Sequence, residues 1–239
     1  MLFALLLALA QDVGPKETFH VYLLVGQSNM AGRGKVEKED LTPHPRVFML
    51  GKDQAWAPAV DPLHWDKPAA GVGTGLAFGK AMADADPKIR IGLVPCAAGG
   101  SPIEAWKPGA YHDQTKSHPW DDTLARAKKA LEKGTLKGIL WHQGESNKAE
   151  GHQEKLVELV GRFRKEIGDV PFVCGELGRF KDTYAPMNEV LKTVPTVLLR
   201  SACVSSEGLK DKGDSTHFDA PGARELGRRY AKAMLALTN

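Results

Sequence analysis

The chain has 239 residues, 42% of them apolar and 26% charged, the composition of a globular protein large enough to bury a substantial core. Its formal net charge of +3 comes from 32 basic and 29 acidic residues spread along the length, with no basic block or basic–aromatic stripe, which argues against a nucleic-acid partner. No apolar run approaches the ~20 residues that a bilayer span requires, which argues against a membrane partner.

The first ten residues, Met1 to Ala10, are almost wholly apolar and end Ala8-Leu9-Ala10 before Gln11. A small-x-small ending after an apolar stretch is what a signal peptidase cuts, although a basic start is missing and the segment is shorter than the usual ~15–30 residues. Residues 1–15 are therefore expected to be a signal peptide and short leader of a secreted or periplasmic protein. An N-terminal core strand or a tail is the other reading. Residues 16–239 contain no repeat, low-complexity tract or linker, and are expected to form one domain.

The first predicted strand is 19–25, followed at once by Gly26-Gln27-Ser28-Asn29-Met30. A long stretch without regular patterning, 31–73, carries only a short edge-strand candidate at 46–50. A helix is predicted over 74–85 and a strand over 89–94, leading into Cys96-Ala97-Ala98-Gly99-Gly100-Ser101-Pro102 and a second irregular stretch, 96–120. A helix over 121–133 and a strand over 136–142 come next, the strand ending in Trp141-His142-Gln143-Gly144-Glu145-Ser146-Asn147. The helix predicted over 152–167 puts Leu156, Leu159, Val160 and Phe163 on one face and is stopped by Gly168 and Pro171. Strands at 171–175 and 196–200 flank a helix at 184–193. Asp214-Ser215-Thr216-His217 precedes a last helix over 220–237, capped by Asp219 with Pro221 in its first turn.

Near-continuous apolar strands that alternate with helices imply a mostly parallel sheet covered on both faces. Loops at the carboxyl ends of such strands form the ligand crevice. Both irregular stretches start there, which suits substrate contact. Trp65 and Trp106 lie in them, placed either to stack on a sugar ring or to plug the loops.

Taken singly, each motif has a bland reading. Ser28 or Asn29 could cap a helix, Gly99-Gly100 could be an ordinary loop, and Asp214 could close a turn onto His217. Together they supply a serine, a base, an acid and exposed backbone donors at successive strand ends. A serine hydroxyl becomes nucleophilic when an imidazole takes its proton and a carboxylate orients that imidazole. The three cysteines, Cys96, Cys174 and Cys203, are too few and too widely spaced for a disulfide framework or a metal site; they read as buried thiols, with one bridged pair possible in an oxidising compartment. None of the eight histidines falls at ligand spacing on a recognisable helix, so neither a metal nor another cofactor is expected.

The ordered set Gly-Gln-Ser-Asn-Met, Gly-Gly-Ser, His-Gln-Gly-Glu-Ser and Asp-x-x-His resembles the SGNH hydrolase superfamily. Within it, the chain is similar to the sialate O-acetylesterase-like branch that includes the acetyl xylan esterases of carbohydrate esterase family six. It lacks the Gly-x-Ser-x-Gly elbow of α/β-hydrolases, because Met30 occupies the last position. The resemblance spans roughly residues 19–237 and implies a three-layer α/β/α sandwich, flavodoxin-like, with the site above the strand ends. It implies Ser28 as nucleophile, His217 as general base and then acid, and Asp214 as its partner. It further implies an oxyanion hole from the Ser28 and Gly100 N–H groups and the Gln143 amide, and an acetylated carbohydrate as substrate. Asn29 and Glu145 read as supporting or substrate-contacting groups; Glu145 either braces the loops, the favoured reading, or competes with Asp214 for the imidazole. The glycine motif departs from the usual Gly-Gly-Thr-Ser, since Pro102 has no N–H to donate. A related lipase or thioesterase, or a non-catalytic carbohydrate-binding protein on the same fold, are the alternatives.

Overall fold

The first strand, β1 (Phe19–Gly26), is apolar along both faces because both are covered. Alternate side chains point opposite ways. Val21, Leu23 and Val25 enter one core, while Tyr22 and Leu24 enter the other. In this computed structural model, which describes residues 12–238, β1 lies at the middle of a seven-stranded sheet. The other strands are β2 (Val47–Leu50), β3 (Trp56–Pro58), β4 (Arg90–Pro95), β5 (Thr135–His142), β6 (Phe172–Gly175) and β7 (Ser201–Val204), in the order β3-β2-β4-β1-β5-β6-β7. Every neighbouring pair is parallel except β2 and β3. The apolar segment at residues 1–10, read above as an export signal, lies outside the described residues.

Helices α3 (Pro119–Leu131), α4 (His152–Ile167) and α5 (Ala185–Val197) cover the first face through Trp120, Phe163 and Leu191 among others. Helices α2 (Gly75–Ala85) and α6 (Ala220–Thr238) cover the second through Phe78, Met82, Leu226 and Tyr230. This is the expected three-layer α/β/α sandwich with a mostly parallel sheet. Among the described residues, no helix is long and apolar enough to cross a membrane.

The predicted strand at 196–200 is a correction. Its first two residues finish α5, residues 198–200 form a turn, and the strand is instead Ser201–Val204. Met187, Leu191 and Val194 recur at helical spacing and carry the helix through Pro195. Val197 and Leu199 point outward, 49% and 85% exposed. Arg200 then turns the chain with a φ of +54°.

The chain leaves β1 towards β2 and β4 on one side of the sheet, and leaves β5 towards β6 and β7 on the other. Loops that diverge in this way open a crevice at the carboxyl ends of the two strands. A single helical turn, α1 (Ser28–Ala31), sits at its floor.

Candidate active site

Directly after β1, the Gln27 N–H donates to His142 O (2.9 Å), tying the start of α1 to the end of β5. Ser28 is the first residue of α1, so its own N–H has no partner within the turn. The residue is 7% exposed, and its side chain faces an imidazole from the far end of the chain: Ser28 Oγ and His217 Nε2 are 2.9 Å apart. The other ring nitrogen, His217 Nδ1, lies 2.7 Å from Asp214 Oδ2.

The turn that presents both side chains is built locally. Asp214 Oδ1 accepts the backbone N–H groups of Thr216 (3.0 Å) and His217 (2.8 Å). Between them Ser215 takes a φ of +53°, and its N–H donates to Asp211 Oδ2. Burial alone would raise the Asp214 pKa. The hydrogen bonds from the His217 ring and from two backbone N–H groups outweigh it and hold the carboxyl well below the usual carboxylate range. Asp214 therefore stays ionised beside the imidazole.

Asn29 fastens this loop to α1. Its Oδ1 accepts the Phe218 N–H (3.1 Å), while its Nδ2 donates to Thr216 O (3.0 Å) and to Glu145 Oε1 (2.6 Å). Glu145 is thus braced against Asn29, and Asp214, not Glu145, is the carboxylate on His217. The Glu145 side chain is only 4% exposed, and burial pushes its pKa up. Beneath it His142 is fully buried, with its pKa pushed down to about 3. Tyr230 OH donates to Trp141 O (2.7 Å) and lies 3.2 Å from His142 Nδ1. With the phenol proton so used, His142 Nδ1 carries the ring proton, and its Nε2 lone pair faces Glu145 Oε1 at 3.9 Å.

The glycine loop after β4 comes alongside through Ala98 N–H, which donates to Gly26 O (2.9 Å). Gly100 has a φ of +81°, and its N–H makes no hydrogen bond among the described residues. Gln143 differs from expectation. It is fully buried, and its amide nitrogen donates to Asn147 Oδ1 (2.5 Å) and Ser101 O (3.2 Å), so both N–H groups are engaged in tying β5 to the glycine loop. The departure at Ser101-Pro102 has a local use. Ser101 Oγ accepts Trp106 Nε1–H (3.0 Å), and Pro102 O accepts the N–H of Ala105 in the turn that follows.

Trp106 is therefore a plug, fully buried and edge-on to Trp141. Trp65 is 38% exposed, carries Arg126 over its ring at 4.7 Å, and lines a cavity of about 320 Å³ with Lys52, His64 and Asp66. Cys96, Cys174 and Cys203 are all free thiols, and Cys174 and Cys203 are register partners across β6 and β7. The sequence reading missed Arg33, Asp66 and His112, which surround the glycine loop. Their spacing carries no signal, since three separate loops bring them together.

A parallel α/β/α sheet with serine, imidazole and carboxylate in hydrogen-bonded sequence at its switch point has the layout of an SGNH-type hydrolase. Residues 18–236 match the family described as carbohydrate esterase, sialic acid-specific acetylesterase, and the chain belongs to that family. At that level its activity is carbohydrate acetyl-ester hydrolysis. A probable carbohydrate esterase of Arabidopsis thaliana is 30% identical over 247 residues, covering 90% of each chain. The solved structure of an Arabidopsis thaliana protein superposes with a TM-score of 0.82 at 28% identity, over 95% of this chain and 100% of that one. A carbohydrate acetylesterase from Xanthomonas citri gives 0.67 at 20% identity, over 91% of this chain and 56% of its own. An acetylxylan esterase from Geobacillus stearothermophilus gives 0.54 at 12%, over 90% and 93%. The last two are likenesses of fold.

Proposed function

We propose that this protein is a serine esterase that removes O-acetyl groups from carbohydrate through an acyl-enzyme on Ser28. The observation that carries the reading is the unbroken contact from Asp214 through His217 to Ser28, 2.7 and 2.9 Å, made across 189 residues of sequence. His217 Nε2 takes the Ser28 proton as Oγ attacks the acetyl carbonyl. The carbonyl oxygen, now negative, is held by the N–H groups of Ser28 and Gly100, and Gln143 joins them by exchanging its long contact to Ser101 O. The imidazolium, steadied by Asp214, then protonates the departing sugar oxygen. Water then attacks the acyl carbon as His217 takes its proton, and the imidazolium returns that proton to Ser28 Oγ as the Oγ–carbon bond breaks and acetate leaves. Asn29 and Glu145 hold the imidazole loop against α1.

The polar character of the loops beside the serine favours a sugar over a lipid or thioester, and the complete Ser-His-Asp contact favours a catalyst over a silent binder. Acetylated xylan, acetylated sialic acid and related sugar acetates are the candidate substrates. Secretion would bring the enzyme to such material outside the cytoplasm.

Acetate release from acetylated xylan, acetylated sialic acid and p-nitrophenyl acetate tests the proposal. Ser28→Ala should lower turnover at least about 10³-fold, since the nucleophile cannot be replaced by its neighbours. Equal rates from wild type and Ser28→Ala would overturn it.

A further inference from the structure

The proposed Gly100 donor is only as good as the direction of its N–H. That direction belongs to the whole Gly99–Gly100 peptide, because a planar trans unit points its C=O and N–H opposite ways. Whatever grips Gly99 O aims Gly100 N–H.

Three side chains outside the proposed machinery hold this unit, one directly and two through the peptide that precedes it. His112 is 7% exposed and places Nε2 at 3.2 Å from Gly99 O. A carbonyl only accepts, so Nε2 carries the proton there. The His112 backbone is pinned in turn: its N–H donates to Ser117 O (2.8 Å) in a small bridged loop. One peptide earlier, Asp66 Oδ2 accepts the Gly99 N–H at 2.9 Å and so fixes the other side of the Gly99 Cα. Asp66 is held by both terminal nitrogens of Arg33, at 2.6 and 3.3 Å, with the two side chains 3% and 5% exposed.

Arg33 closes the circuit. Its Nη1 donates to Gly32 O (2.6 Å), and the Gly32 N–H donates to Ser28 O (2.8 Å). The turn bearing Ser28 and the loop bearing Gly100 are thereby joined by one buried ion pair. No side chain fits at position 99, where a Cβ would lie 2.4 Å from Asp66 Oδ2 and 2.5 Å from Arg33 Nη2.

We infer that His112, Asp66 and Arg33 are positioning residues for the oxyanion: they fix the Gly99–Gly100 peptide so that its N–H meets the negative oxygen formed at Ser28. The inference rests on the esterase reading. A hydrogen bond to Gly99 O also polarises the peptide and strengthens the N–H on its far side. Because the oxyanion exists only after attack, losing this aim lowers kcat and leaves KM nearly unchanged.

The test compares wild type, Ser28→Ala, His112→Phe, His112→Gln and Asp66→Asn on p-nitrophenyl acetate, with inhibition by a phenylboronic acid as a mimic of the tetrahedral species. Removing an oxyanion donor outright costs about 10²–10³ in turnover, so misaiming one should cost roughly 10–100-fold in kcat for His112→Phe. The boronate inhibition constant should rise by a similar factor, and KM should stay within about twofold. His112→Gln, whose amide can still donate to Gly99 O, should recover much of the loss. Asp66→Asn keeps an acceptor for Gly99 N–H but loses the charge that holds Arg33; it should fall between the two, and it reports should His112→Phe fail to fold. Wild-type kcat in the folded variants, a loss confined to KM, or unchanged boronate affinity would overturn the inference. Equal rates for wild type and Ser28→Ala would instead remove the esterase reading beneath it.

Discussion

Replacing Asn29 by alanine should disarm the site without touching any group proposed to react. Asn29 is 3% exposed and its amide makes three hydrogen bonds, to Phe218 N–H, Thr216 O and Glu145 Oε1. Truncation leaves the buried Phe218 N–H and a buried carboxyl oxygen without partners, and each orphaned group costs about 1–3 kcal/mol. A total of about 3 kcal/mol follows, allowing for partial relaxation. At roughly 2.1 cal/mol/K per residue, the whole chain unfolds with an entropy of about 0.5 kcal/mol/K, so Tm should drop by about 6 °C. The larger effect is on rate. With Thr216 and Phe218 untied, the loop between them that carries His217 is free to shift from Ser28, and a displacement of about 1 Å costs on the order of 10²-fold. Scanning calorimetry and kcat on p-nitrophenyl acetate measure the two effects. Asn29→Asp supplies a control of the same shape. It keeps an acceptor for Phe218 N–H but sets a carboxylate against Glu145 Oε1, so the pair must share a proton and the protein should weaken as pH rises. A folded Asn29→Ala protein with wild-type kcat and Tm would refute the reasoning.

Two further predictions concern pH. Asp214 has a pKa depressed in the folded protein, so the stability it contributes is present above its ordinary value of 3.8 and is lost as pH falls below that. The Tm gap between wild type and Asp214→Asn should therefore be constant near neutrality and narrow below about pH 4; a gap undiminished at low pH would count against the ionic contact. Asp61 behaves in the opposite sense. It is 2% exposed with Oδ1 unpartnered, and burial, reinforced by the negative charge of Asp40, pushes its pKa up to about 8. Its protonated form is the one the fold favours, so its contribution is full below 3.8 and is lost as pH rises towards about 8. Asp61→Asn should flatten the fall in Tm across that interval and exceed wild type at its upper end; parallel Tm profiles would contradict this.

The central strands were legible because they are buried on both faces, which writes near-continuous apolar runs at 19–25 and 136–141, broken by His20 and by Lys137-Gly138. β7 was not. As an edge strand it presents Ser201, Ala202 and Cys203, while the more strand-like Thr196–Arg200 is spent on a helix end and a turn. The Ser28, Asp214 and His217 side chains were readable because each sits beside a motif whose chemistry needs its companions. Ion-pair partners such as Arg33 and Asp66 have no local pattern: a guanidinium and a carboxylate in unrelated loops reveal their pairing only when the backbone brings them together. Gln143 lies between these cases, its position readable from the motif but its bonding to Ser101 and Asn147 fixed by packing.

The loop carrying Asp214 and His217 runs between the last strand and the last helix; it reaches back to α1 through Asn29, and Lys181 donates to its Thr216 Oγ1. A chain made only as far as Val204 therefore has every strand of the sheet but lacks both this loop and α6, whose Leu226 and Tyr230 cover the second face. The proposed base and the cover of that face lie in one stretch of chain, so removing residues from Asp214 onward should cost the fold as well as the rate.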